Sequence, residues 1–592
     1  MKKIKFNNIL PLVIVCILVV AGLSNGALPV KDPFGIFGER VKNFQTNIRF
    51  EESSELLGIN HLHEIYDPAV DFEQLYPYHA NSAGVAVGDI DNDGFQDIFF
   101  TTMKNGKSNY LYKNIKGRSF IDVTKESGLF IDTNDPGAAT AAVFFDYDND
   151  SCQDLFIARI GCHSLYRGNC KGQFSDVSEK TGVAKYCSFA VGVNLVDYNN
   201  DGYTDLYIPN FNGGEPKIAR NFYRLITETS NNQDGGGENI LLENQGVKGF
   251  VDVAKERGVA DPGLSWASGW SDFNKDGKAD LYVADDFSRD QFFIGEEESN
   301  DFKNISSYIF KPEIRSRGSM TVEIGDIDND LRPDVFTTNI TRVGYDIGLN
   351  YMWLNKKKGK HNMILVNQAP RLQLSKCGWG WGARFIDADL DGRLELVVNN
   401  GFWDDGPKPY WYTWNTWLSL PSFLRKHNTN QPKVRGSHMA NKEPNCFFKK
   451  MESTYIDIAE NTGITDLKNG RGMATLDFNN DGKNDFIIAN FLDKPSFYVN
   501  KTETKNFWIG FKLTGSVSNR DAVGAKVLVF TNSRLKQIRE LYPANGLSGE
   551  NDKRLLFGLG NSKRAKVKII WPNGKDEDLG LLEGNQYYDI KE

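Results

Sequence analysis

Seven short segments of this chain carry the oxygen atoms that a hard metal ion requires. Each follows D-x-[DN]-x-D-x-x-x-[DE], and the sets are Asp89, Asp91, Asp93, Asp97; Asp146, Asp148, Asp150, Asp154; Asp197, Asn199, Asp201, Asp205; and Asp272, Asn274, Asp276, Asp280. The other three are Asp326, Asp328, Asp330, Asp334; Asp387, Asp389, Asp391, Glu395; and Asp477, Asn479, Asp481, Asp485. A cation with a flexible shell of six to eight oxygens needs several carboxylate or amide oxygens converging on one point. Positions 1, 3 and 5 of a tight turn converge in this way, position 7 adds a backbone carbonyl, and the acid at position 9 closes the cage. Calcium is the expected cofactor. Magnesium prefers a smaller octahedral shell that retains water, and transition metals would call for His or Cys, which these loops lack.

An EF-hand loop begins in the same way but requires a bidentate Glu at position 12 between helices. Position 12 here is Phe100, Ile157, Ile208, Val283, Thr337, Val398 and Ile488, all strand-forming residues, so that reading fails. A single copy would also fit an Asx-type turn closed by its own side chains, an explanation that weakens with every repeat. Gly94, Gly202, Gly277, Gly392 and Gly482 stand at position 6, where the sharp turn favours a residue without a Cβ. The second and fifth loops have Ser151 and Leu331 there, so five to seven sites are expected. The loops hold 25 of the 77 acids, and seven Ca2+ ions would move the formal charge from -8 to +6. Without metal, three or four carboxylates repel one another in each loop, so chelation is expected to destabilise the fold.

The elements that position these loops are strands. Apolar, β-rich runs follow each loop (DIFFTT, DLFIAR, DLYIPN, DLYVAD, DVFTTN, ELVVNN, DFIIAN), and most loops are preceded by another, such as GVAVGD. An aromatic followed eight residues later by Gly recurs upstream, at Phe120 and Gly128, Phe174 and Gly182, Phe250 and Gly258, and Tyr455 and Gly463. Loop-to-loop spacings of 57, 51, 75, 54, 61 and 90 fit a unit of four strands, the size of a propeller blade. Phe50 and Gly58 repeat the aromatic-to-Gly spacing before the first loop, while the seventh lacks a clear copy after it. The strand near Ile48 to Glu52 is therefore expected to complete the last blade and close the ring. The expected fold is all-β, a seven-bladed β-propeller with a small C-terminal β-rich, sandwich-like domain. The longer intervals then hold insertions near 211–238 and 401–444.

The chain has 592 residues, 40% hydrophobic and 25% charged, too long for one compact core and too apolar for wholesale disorder. A net charge of -8 argues against a nucleic-acid partner. Lys2, Lys3 and Lys5 precede an apolar run over 9–23 and a small-residue stretch, which reads as a signal peptide over 1–26. An uncleaved anchor is the alternative, and no later stretch is long and apolar enough to span a bilayer. The expected location is secreted, periplasmic or cell-surface. Six cysteines remain after Cys16, an even count suited to an oxidising compartment. The propeller topology places Cys152 with Cys170 at the loop end of one blade, Cys162 with Cys187 at its other end, and Cys377 near Cys446 in the sixth, out of fifteen possible pairings.

The loops and their flanking strands resemble the FG-GAP and VCBS repeats of integrin α-subunit propellers, a resemblance that implies calcium on the lower face. The C-terminal stretch resembles the ASPIC/UnbV domain through NRDAVGAKV, YPANGLSGEN, LLFGLG and VKIIWPNG. This is the organisation of the cartilage acidic protein family and its bacterial relatives, and it implies a propeller over 27–505 and an ASPIC/UnbV domain over 506–592. Ser151, Leu331 and Glu395 depart from the repeat pattern. The last 87 residues carry a net charge of +4 against -12 for the rest, an asymmetry that fits docking on the acidic propeller or on a partner, or equally an ordinary solvated surface.

The connections leaving each blade's second strand belong to the face opposite the loops, and the insertions fall there. Trp403, Asp404, Asp405, Trp411 and Trp414 place aromatic rings beside carboxylates, a combination suited to sugars or peptides, or to a lid over the central channel. Asp285, Asp286 and Arg289 are further candidates on that face. No GxSxG elbow or HExxH occurs, so no catalytic residue is assigned. The leading expectation is a calcium-binding module that recognises an extracellular protein or glycan, as in adhesion. The alternative is an extracytoplasmic enzyme, polysaccharide-active or a biosynthetic tailoring protein, working on the face opposite the loops.

Overall fold

The computed structural model describes residues 41–592 apart from 42, 65–81, 104–108, 130–137, 212–235, 287–288, 297, 311–317, 342–347, 358, 360, 403–442 and 532–534. The first sheet shows the repeating unit. Val85–Gly88 runs into the acidic loop, Asp97–Phe100 returns from it, and Tyr110–Asn114 and Phe120–Asp122 complete an antiparallel meander. Every residue of the two inner strands is buried, because each sheet is packed on both faces, and such strands read as continuous apolar runs. The outermost strand shows one buried and two exposed residues.

Seven sheets of this kind stand among the described residues, one per acidic loop. The second also gains Cys187–Phe189, paired with the far end of its second strand. The seventh consists of Gly470–Leu476, Asp485–Asn490 and Ser496–Asn500, and its fourth strand is Phe50–Glu52 from the N-terminal side, with Phe50 opposite Asn500. That matches the sequence-based expectation. Apolar clusters fill each junction between successive sheets, and one of them joins Val85, Val87 and Ile98 of the first to Ala474, Leu476 and Ile487 of the seventh. The sheets therefore form a closed ring, a β-propeller.

The aromatic-to-Gly motif is a joint between neighbours. Each such aromatic opens an outermost strand, and its glycine, eight residues on, sits at positive φ against the next sheet's corresponding aromatic. A Cβ on Gly58 would lie 2.5 Å from the Phe120 carbonyl oxygen, one on Gly128 2.7 Å from that of Phe174, and one on Gly463 2.3 Å from that of Phe50. Only glycine tolerates both the conformation and the approach. Disulfides join Cys152 to Cys170, Cys162 to Cys187, and Cys377 to Cys446, the pairing expected from the topology.

After the ring, Phe507–Thr514, Leu555–Gly560 and Tyr587–Lys591 form one sheet. Lys526–Thr531, Lys536–Glu540, Arg564–Ile570 and Asp576–Glu583 form another. The two enclose their own core, which includes Ile509, Phe511, Val527, Phe557 and Trp571.

Candidate metal centres and the domain that docks on them

All seven loops fold alike. In the first, Asp89 Oδ1 accepts from the backbone N–H of Asp93 at 2.9 Å and Oδ2 from that of Gly94 at 3.0 Å. Asp97 Oδ2 accepts from Ile90 N–H at 3.0 Å, and its Oδ1 accepts from Asn114 N–H, on the third strand, at 2.7 Å. Position 4 is left-handed in every loop, at Asn92, Asn149, Asn200, Lys275, Asn329, Leu390 and Asn480. Position 6 is left-handed too, including Ser151 at φ 70° and Leu331 at φ 66°. Their N–H groups still reach Asp146 Oδ2 at 2.6 Å and Asp326 Oδ2 at 2.9 Å. Glu395 likewise takes the Asp97 role, accepting from Ala388 N–H at 3.0 Å. The three departures from the repeat pattern leave the loop geometry intact.

The carboxylates converge. Asp89, Asp91 and Asp97 bring ligand atoms within 4.8 Å of one another, as do Asp146, Asp148 and Asp154; Asp326, Asp328 and Asp334; and Asp387, Asp389 and Glu395. Asp91 Oδ1, Asp148 Oδ1, Asp387 Oδ1 and Asp389 Oδ1 are buried there without a hydrogen-bond partner. Leaving such oxygens unsatisfied is costly, and a divalent cation satisfies several at once. Burial pushes the Asp154 carboxyl up to about 8, and those of Asp146, Asp326 and Asp387 up to about 7, with neighbouring carboxylates adding to the rise. The position 9 acids Asp97, Asp205, Asp280, Asp334, Glu395 and Asp485 are raised well above the usual range, mainly by burial. These clusters can hold metal ions.

The loops divide by their third residue. Where it is Asp, a cation from the adjacent third strand leans on the loop: Lys113 on Asp91, Arg167 on Asp148 and Asp150, Lys356 on Asp328 and Asp330, and Lys449 on Asp389. Where it is Asn, no such strand cation is present among the described residues, and Asn199 and Asn274 turn their amides to Asp201 and Asp276.

The C-terminal domain reaches every loop. Lys512 Nζ lies 3.7 Å from Asp89 Oδ2, and Asp521 Oδ2 accepts from Asp146 N–H at 2.8 Å. Asn519 Nδ2 donates to Asp197 Oδ2 at 3.3 Å, Lys526 pairs with Asp272, and Asn329 donates to the Lys536 carbonyl at 3.0 Å. Gly558 N–H donates to Asp387 Oδ2 at 3.0 Å, and the Tyr587 hydroxyl donates to Asp477 Oδ2 at 2.8 Å. Residues 543–551 of the same domain enter the ring's centre. Gly546 N–H donates to Ser268 O at 2.9 Å and Glu550 N–H to Val85 O at 3.0 Å. Asn545 both accepts from and donates to the Trp270 backbone. Leu547 N–H reaches Thr321 Oγ1 at 3.1 Å, Phe144 N–H donates to Glu550 Oε2 at 2.7 Å, and Arg384 grips Gly549 O at 2.8 Å. With Asn194 bonded to Ala544 O and Thr475 to Asn551, this one loop bonds strands of six sheets and, through Thr321, the segment that leads into the fifth. Charge asymmetry left docking and an ordinary solvated surface both open, and nothing in the local pattern marked the channel-filling loop.

At the other end, Asp285 is fully buried, accepting from Ser265 Oγ at 2.8 Å, and Asp286 accepts from Trp266 Nε1 at 3.0 Å. Arg289 is half-buried beside them in sequence. Trp403, Asp404, Asp405, Trp411 and Trp414 lie outside the described residues, as does the signal segment 1–26. Among the described residues no helix is long and apolar enough to cross a membrane.

Comparison with known proteins agrees with this geometry. The FG-GAP-like repeat family matches residues 89–157, 146–208 and 272–337, and the family described as ASPIC and UnbV matches residues 515–592. The chain carries FG-GAP-like repeats and an ASPIC and UnbV domain. It is similar to cartilage acidic protein 1 of Mus musculus, 26% identical over 367 residues, covering 56% of this chain and 51% of the relative. The Xenopus tropicalis protein is 26% identical over 444 residues, covering 68% and 64%. The matched stretch thus spans about half to two thirds of these relatives' own length. Solved structures with some likeness include an Agrocybe aegerita lectin that recognises non-reducing terminal N-acetylglucosamine (14% identity, TM-score 0.36, 54% of this chain and 75% of that one). Another is the extracellular domain of a putative hybrid two component system of B. thetaiotaomicron (9% identity, TM-score 0.36, 85% and 52%). At those scores the propeller rests on the sheet order of the FG-GAP-like repeats themselves.

Proposed function

We propose that the protein is an extracytoplasmic, calcium-stabilised propeller that recognises a protein or glycan partner through the face opposite the acidic loops, and has no chemistry of its own. The observation that carries the reading is the set of buried carboxylate oxygens without partners at points where three acids converge. Oxygen-only donors, a repeated turn and a buried position 9 acid suit calcium. Because the loops with Ser151 and Leu331 fold like the others, the reading extends to all seven. The three disulfides support an oxidising location.

The loop face is taken by the protein's own C-terminal domain, which leaves the opposite end for a partner. Asp285, Asp286 and Arg289 lie at that end of the fourth sheet, and Trp403, Asp404, Asp405, Trp411 and Trp414 fall in the stretch of sequence between the second and third strands of the sixth. Calorimetric titration of the chelated protein with calcium tests the metal, with several equivalents expected to bind. Capture from extracellular protein and glycan pools, compared between wild type and a Trp411→Ala, Trp414→Ala double variant, tests the partner face. An unchanged capture profile removes it.

A further inference from the structure

We infer that metal loading of the acidic loops and docking of the C-terminal domain are one linked equilibrium, so that a divalent cation acts as the fastener of the domain that fills the ring. The inference rests on the calcium reading above. Its basis is a shared carboxylate. In five loops the Oδ2 of the first aspartate faces a donor of the C-terminal domain: Lys512 at Asp89, Asn519 at Asp197, Lys526 at Asp272, Gly558 N–H at Asp387 and Tyr587 at Asp477. The same aspartates hold their own turns closed through the N–H groups of positions 5 and 6, as at Asp272 and Asp477. One residue thus belongs to the loop, to any metal within it and to the docked domain.

The donors come from different strands and turns of a domain without sevenfold symmetry. They meet their acceptors together only if the loops keep their relative positions. Without metal each loop keeps an excess of carboxylates, even where a single strand cation leans on it, and spreads by mutual repulsion. A divalent ion offsets most of that repulsion yet leaves the loop net negative, so Lys512 and Lys526 remain attracted. The channel-filling segment responds to the same alignment, since the strands it bonds lead straight into loops: Gly88 into Asp89, Phe145 into Asp146, Ser271 into Asp272, Ile386 into Asp387. Binding that aligns the loops therefore favours docking, and by reciprocity docking raises metal affinity by the same factor.

The test uses the full chain with intact disulfides. Hydrogen exchange is followed with calcium and after chelation, alongside calorimetric calcium binding. On chelation the amides of Gly546, Leu547, Glu550 and Gly558 are expected to exchange at least about fivefold faster relative to ring amides such as Ile98 and Leu206. Asn545→Ala, which loosens the channel segment without touching a loop, is expected to weaken calcium binding about fivefold. If calcium binds but C-terminal and ring amides accelerate equally, or Asn545→Ala leaves the affinity unchanged, the linkage is overturned while the calcium reading stands. If no calcium binds, both fall.

Discussion

Asn480, at position 4 of the last acidic loop, donates from Nδ2 to the carbonyl of Gly94 in the first, 3.1 Å away across 386 positions of sequence. The same bond joins Asn92 to Ser151, Asn149 to Gly202 and Asn329 to Gly392. Ring closure thus uses the contact that joins neighbours elsewhere, and the strand Phe50–Glu52 adds a second fastening.

Truncating that fastening is expected to be expensive. Phe50 is buried, with ring centroids 5.1 Å from Phe486 and 5.6 Å from Phe447. Phe50→Ala should lower unfolding stability by about 3–5 kcal/mol, read as a shift in the urea midpoint at constant slope. A shift below ~1 kcal/mol would show that the N-terminal strand is dispensable.

Chelation should lower Tm, and the size of the effect should depend on pH. The carboxyls of Asp146, Asp154, Asp326 and Asp387 have folded values near 7 or 8, above the ordinary value of 3.8. A raised carboxyl favours the protonated folded state, so its contribution is full below about pH 4 and disappears as pH rises through 7–8. Metal-free protein should therefore lose stability steadily from pH 5 to 8, while calcium, which replaces those protons, should flatten the profile. Thermal melts in EGTA and in calcium across that range check this; parallel profiles would contradict it.

The strand cations should compete with metal. Lys449 Nζ lies 2.8 Å from Asp389 and 3.7 Å from Glu395. Lys449→Met should destabilise the chelated protein by ~1–3 kcal/mol and strengthen calcium binding at the sixth loop about tenfold, equivalent to ~1.4 kcal/mol. Titration calorimetry and chelated melts separate the two effects.

The disulfides should differ in value according to the loop each closes. Cys377 and Cys446 are 69 positions apart, against 18 for Cys152 and Cys170 and 25 for Cys162 and Cys187. Replacing the Cys377 and Cys446 pair by serine should cost ~4 kcal/mol, and each shorter pair ~3 kcal/mol, in the chain-entropy account. Urea midpoints of the three double variants test the ranking.

Position 4 shows how a legible signal is missed. Asn stands there in five of the seven loops, and its tolerance of the left-handed conformation explains the choice. Its side-chain bond to the next loop appears only when neighbouring sheets are placed. The strand cations Lys113, Arg167, Lys356 and Lys449 likewise sit in plain view, but their targets are set by strand register.

The sequence by itself determined the repeated acidic turns, the strands that flank them and the aromatic-to-Gly spacing, and it pointed to the borrowed closing strand, while the disulfide partners and the role of the glycines as joints came from the placed sheets. The turns, strands and spacing follow from residue type at short, recurring intervals, where local geometry leaves few choices; the closing strand follows from counting the copies of the repeat. Only the tertiary structure decided that the C-terminal domain sits on the acidic loops and sends residues 543–551 into the ring's centre. That docking joins a unique domain to seven repeats through single contacts such as Tyr587 with Asp477 and Asn545 with Trp270, up to hundreds of positions apart. Such pairs carry no period, and burial of their polar groups is affordable only once every partner is in place at the same time.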